Sequence, residues 1–217
     1  MQANDIRHHP KKKIGLLTFT LAVCLLGGLP TNVSGLSVSD STWSWDSGTY
    51  DGSNINIGHG ASGTSTVNIN GGTANFTGEL SMGTLSGSGA HAYLNASGGE
   101  VNIATSTTLH KTENVVGDSK GRGAATLNFS GADVTVRGPL LFGDTSNTSY
   151  VPGPLTVNLS DGSFTINGYK RSLRLGANSS YPSAVTMDIN QTGGDANYND
   201  EIYIGFSNNV HATYTIS

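Results

Sequence analysis

The sequence predicts an all-β fold, a single-stranded parallel β-helix (β-solenoid) of three short strands per coil and about five to six coils. Three observations carry this. The chain is rich in Gly, 30 of 217 residues, and in Asn, Ser and Thr, while only 12% of it is charged. That composition disfavours long helices and favours short strands between turns. Apolar residues alternate with polar ones, the period of a strand with one buried face. The alternating runs also recur as a cassette, which is the signature of a solenoid.

Taken in chain order, residues 1–35 stand apart from the fold. Lys11, Lys12 and Lys13 precede an apolar run at 14–29, then Pro30, with Val33 and Gly35 as small residues for a cleavage site. This is the pattern of a secretory signal peptide, and the run is shorter than the roughly 20 residues of a membrane span. The mature chain then has no transmembrane segment. Cys24, the only cysteine, lies inside the run. Val23 is too bulky for a lipoprotein cleavage box, so export without disulfides or thiolate metal sites is expected. Removing four cations (Arg7, Lys11, Lys12, Lys13) and one acid (Asp5) takes the formal charge from −4 to −7. An acidic surface excludes nucleic acid as a partner, because that needs a basic footprint.

Residues 36–54 are expected to form an N-terminal cap or an atypical first coil, with Trp43 and Trp45 over the end of the core. The repeats occupy 55–217. A first run recurs as TVNIN (66–70), YLNAS (93–97), TLNFS (126–130), TVNLS (156–160), TMDIN (186–190) and TYTIS (213–217). It aligns Asn68, Asn95, Asn128, Asn158, Asp188 and Thr215 in one column. A second run, after a Gly-containing turn, is TANFT (73–77), EVNIA (100–104), DVTVR (133–137), SFTIN (163–167) and DANYN (195–199). The third is INIG (55–58), LSMG (80–83), a degenerate TTLH (107–110), LLFG (140–143), LRLG (173–176) and IYIG (202–205). Apolar side chains of all three point inward, with Leu141 facing out. Parallel crossovers predict a right-handed coil. The chain stops one strand into a coil with no polar cap, so either a C-terminal portion is missing or that edge pairs end to end with a partner.

Asn-x-Ser/Thr sequences at Asn75, Asn95, Asn128 and Asn158 would stack glycans about 4.8 Å apart, closer than they fit. An outward Asn and Thr ladder, hydrogen-bonded along the stack, is the better reading. Thr66/Asn68, Thr126/Asn128 and Thr156/Asn158 resemble an ice-binding array, but Tyr93 and Asp188 interrupt it.

Catalysis on a polysaccharide would need clustered carboxylates with a cation. The best constellation is Glu100 beside Asp133, one coil apart, with Arg137 two positions up the outward face; a solvated acidic pair is the plainer expectation, and no catalytic residue is assigned. The third-to-first corners vary in length and carry rings that fit a sugar: Tyr150, Tyr181, Phe206, His91 and His211. One copy of "GGDANYNDEIYIG" (193–205) resembles a calcium nonapeptide that works only in tandem, so no metal and no cofactor is expected.

The cadence "TLNFSGADVTVRGPLLFGD" resembles the strand repeats of autotransporter passenger domains. It is still more similar to the Gly-rich exported repeat proteins of planctomycete and verrucomicrobial type, some of which carry a PEP-CTERM sorting signal. The resemblance covers about residues 53–217. The translocator barrel and the Pro-Glu-Pro motif are absent from it. It implies an adhesin-like or matrix role at the surface of a bacterial envelope, or after secretion, with extracellular glycans or surface matrix as partners, and it supplies no catalytic residue. The expected function is an exported, non-catalytic structural or adhesive β-helix. The alternatives are a lyase- or hydrolase-like β-helix enzyme, and a carbohydrate-binding module using the corner loops.

Overall fold

The computed structural model describes residues 35–83, 89–103, 114–116, 123–142, 153–167, 173–175, 184–205 and 209–217. Among these, the chain is a β-solenoid with three walls and no helix. The first wall stacks β2 (Thr42–Trp45), β5 (Thr64–Ile69), β8 (His91–Ala96), the first halves of β11 (Ala124–Arg137) and β13 (Leu155–Asn167), β15 (Val185–Gln191) and β18 (Val210–Ile216). The second stacks β3 (Thr49–Gly52), β6 (Thr73–Phe76), β9 (Glu100–Ile103), the second halves of β11 and β13, and β16 (Asp195–Tyr198). The third contains β1 (Leu36–Val38), β4 (Ile55–Ile57), β7 (Leu80–Met82), β10 (Asn114–Val116), β12 (Leu140–Phe142), β14 (Leu173–Leu175) and β17 (Ile202–Ile204). Every pairing is parallel. The third wall stacks seven strands where five to six coils were expected, because β1 is already in register with β4.

The inward set forms one continuous core. Val67, Leu94, Leu127 and Val157 follow one another down the first wall; Phe76, Ile103, Val136 and Ile166 line the second. At the first-to-second corner a column of small residues runs Gly72, Gly99, Ala132, Gly162. Gly72, Gly99 and Gly162 have φ of +73°, +78° and +80°, and successive backbones nearly touch there. Only glycine reaches that geometry cheaply.

Three details of the repeat differ from the sequence reading. Asn190, not Asp188, lies beneath Asn158; Asp188 lies beneath Thr156. A slip of two residues keeps every side chain on its own face, so alternation alone does not detect it. The third-wall strand of the irregular coil is Asn114–Val116, paired to β7 and β12; TTLH (107–110) lies outside the described residues. Leu141 follows the outer column, as does Arg174 beneath it, yet they are only 1% and 8% exposed. The Arg174 guanidinium stands 5.9 Å from the centre of the Tyr203 ring.

Both ends of the described stack carry rings. At the first coil Trp43 and Trp45 sit above Val67 and Ile69, stacked on each other at 6.2 Å, with Tyr50 edge-on to both. At the last, hydrogen bonds link two tyrosines to the turn after β15. Tyr198 donates to the Tyr214 hydroxyl (3.3 Å), Tyr214 to Gln191 Oε1 (2.8 Å), and Gln191 Nε2 to the Gly194 carbonyl (2.9 Å). Burial, then the Tyr214 hydroxyl, pushes the Tyr198 phenol up. Ile202, Ile204 and Ile216 remain 40%, 46% and 71% exposed beside it.

Candidate functional site

Among the described residues, the outer face of the first wall has the most regular arrangement of polar groups. Alternation sends Asn68, Asn95, Asn128, Asn158 and Asn190 outward, and the parallel register places them one above another. Each Nδ2 donates to the residue one coil earlier: Asn95 to Asn68, Asn128 to Asn95 and Asn158 to Asn128 at 2.8 Å, and Asn190 to Asn158 at 3.0 Å. Asn68 continues the series to Ser44 Oγ at 3.3 Å. The outward ladder read from the sequence is therefore present, with Asn190 in place of Asp188.

Beside the ladder, the column Thr66, Tyr93, Thr126, Thr156 carries one ring among threonines. Tyr93 stacks on His91, two residues earlier on β8, with centroids 4.0 Å apart and planes 13° from parallel. The Tyr93 hydroxyl lies 3.1 Å from His91 Nδ1, and His91 Nε2 lies 2.8 Å from Thr126 Oγ1 on the next coil. The Tyr93 hydroxyl donating to Nδ1 and Nε2–H donating to Thr126 satisfies all three groups with a neutral ring. Burial pushes the His91 pKa down. His91 is thus a strand residue, not a corner residue as the sequence implied. The same holds for His211, an exposed residue of β18 in register with Thr186.

A depressed histidine pKa has a definite sign. Above the unfolded value of 6.5 the ring is neutral in both states and contributes no pH dependence. As pH falls below 6.5 the unfolded chain binds the proton first, so stability falls until the lower folded pKa is passed. Melting temperature should therefore be level above pH 6.5 and decline below it, and His91→Thr should reduce that decline in a thermal melt series. An unchanged slope would remove His91 as its source.

The acidic candidates sit on the second wall. Asp133 is in register with Glu100 above and Ser163 below, as read from the sequence. Both carboxylates already hold hydrogen bonds: Ser163 Oγ donates to Asp133 Oδ1 (2.7 Å), and Asn102 Nδ2 to Glu100 Oε1 (2.9 Å). Arg137 lies four residues beyond Asp133 on β11, beside Asn167 of the next coil. This column therefore aligns two acids on an exposed face, with each acid held by a neutral neighbour. Tyr150, Tyr181 and Phe206 lie outside the described residues. Among the described residues no group of three or more His, Cys, Asp or Glu could hold a metal ion. In the 193–205 stretch the Asp200 carboxylate accepts from the Glu201 amide and Glu201 from the Tyr203 hydroxyl.

Sequence reasoning missed Tyr93 and Thr126 as partners of His91. The available signal was Tyr93 itself, the one ring in a column otherwise made of threonine over four coils. Comparisons with family models, curated proteins and solved structures return no match.

Proposed function

We propose that this chain is an exported, non-catalytic structural or adhesive β-solenoid of the Gly-rich surface-repeat type, acting at or released from a bacterial envelope. The observation that carries the reading is the unbroken asparagine ladder. Over five links these polar side chains, the most regular among the described residues, bond to one another along the stack, which is the arrangement of a scaffold. The hydrogen bonds already held by Glu100 and Asp133 support it too. No helix among the described residues is long and apolar enough to cross a membrane. The basic and apolar leader supports export.

Expression of the whole chain in a bacterial host, followed by fractionation and N-terminal sequencing, tests this. A shortened chain in the envelope or medium, beginning near Leu36, is the expected product. Full-length chain confined to the cytoplasm would refute export. Polysaccharide turnover that disappears in Asp133→Asn would refute the non-catalytic reading.

A further inference from the structure

We propose that the outer face of the first wall is a binding surface for a neutral, extended, β-linked polysaccharide, with the Tyr93–His91 pair as its platform. The inference rests on the scaffold reading above and names the ligand class that such a scaffold would hold.

Charge is the first argument. The chain is acidic, with a formal charge of −4, yet the outward positions of this wall carry no Asp, Glu, Lys or Arg over four successive coils, and His91 is their one imidazole. They are Thr64, Thr66 and Asn68 on β5, then His91, Tyr93 and Asn95 on β8. Ala124, Thr126 and Asn128 follow on β11, then Thr156 and Asn158 on β13. Acids stand on the neighbouring second wall, at Asp51, Glu100, Asp133 and Asp195, and the neutral strip of the first wall ends at Asp188 of the next coil. A neutral strip on an acidic molecule fits an uncharged polar ligand and offers nothing to a nucleic acid or a polyuronate.

Valency is the second. An asparagine amide has two N–H donors and a carbonyl with two lone pairs. The ladder uses one donor and one lone pair of each internal member, leaving one of each per coil. These recur at the strand spacing of about 4.8 Å, next to the threonine hydroxyls. An extended ribbon of pyranose rings presents hydroxyls in a row at a similar repeat, as the ladder does, whereas a coiled α-linked chain does not.

The platform is the third. Sugars dock their C–H faces on aromatic rings, and a ring already held in place loses little freedom on binding. Tyr93 is held by its stack on His91, and His91 is tied to Thr126 across the coil boundary. The pair is partly exposed and held in place, and supplies the rings among the outward positions of these four coils.

The test is sedimentation of the mature chain with microcrystalline cellulose and with chitin, against soluble polygalacturonate as the acidic control. Two variants restore the wall's own residue types: Tyr93→Thr matches Thr66 and Thr126, and His91→Thr matches Thr64. The expected result is binding to at least one neutral solid, weakened about tenfold in Tyr93→Thr, as loss of one aromatic contact and its buried area implies, with the melting temperature of that variant close to the parent's. No binding of the parent to either solid overturns the proposal, and so does a Tyr93→Thr protein that binds as the parent does. Preferred binding to polygalacturonate also overturns it. In these cases the scaffold reading still stands on fractionation, whereas release of reducing sugar from a solid would instead strike at the non-catalytic reading.

Discussion

Gly99→Ala should lower stability by on the order of 3–5 kcal/mol, the combined scale of a strained left-handed residue and an overpacked contact. Gly99 has φ +78°, and a Cβ built on it would lie 2.2 Å from the Gly72 carbonyl oxygen of the preceding coil. That oxygen is backbone, and it accepts the Glu100 N–H at 2.8 Å, so it cannot move aside without loosening the wall. The next coil supplies the control. There Ala132 occupies the equivalent corner position, is fully buried, and does not have a positive φ. Ala132→Gly should therefore cost about 1 kcal/mol or less, the entropy of an added glycine. Thermal melts of the two variants decide the matter: a Gly99→Ala protein within about 1 kcal/mol of the parent would mean that the coils are not stacked as closely as described.

Phe129→Ala should cost about 3–5 kcal/mol, the usual range for deleting a buried ring. Phe129 is 1% exposed and packs on Phe164 of the following coil, centroids 4.9 Å apart, near the middle of the stack. In a repeat array each coil is held by its neighbours alone, so a void at this position weakens the coupling between the two halves. The parent should unfold in urea in one sharp transition, and the variant should show the halves melting separately. A sharp transition at an unchanged midpoint would indicate that the core closes over the gap.

Fold class was legible because face and period are local properties. Val67/Ile69, Val134/Val136 and Leu173/Leu175 each declare a buried face within three residues, and the Gly-rich corners separate them. Register is not local. It depends on which residue meets which one coil away, and an even slip such as Asp188 for Asn190 leaves the alternation intact. The pairing that decides it is the Asn190–Asn158 hydrogen bond, across 32 residues. The candidate site divides in the same way. Glu100 and Asp133 were readable as neighbours because both directly follow the tight corner that phases the second wall. The His91–Tyr93–Thr126 group was not, since its cross-coil link spans 35 residues and depends on ring orientation. Burial of Leu141 on the outer column was likewise hidden, because alternation assigns a side and not what lies over it.

The asparagine ladder also restricts where such a chain can be made. Asn95, Asn128, Asn158 and Asn190 each begin an Asn-x-Ser/Thr sequence, and each uses its Nδ2 to hold the coil before it. That nitrogen is the atom to which an N-linked glycan is joined, and the glycan is bulky. A compartment that glycosylates the emerging chain before it folds would put sugar on the atoms the stack needs, and coil could no longer close on coil. The fold therefore presupposes a compartment in which these sequences go unread until the ladder has formed.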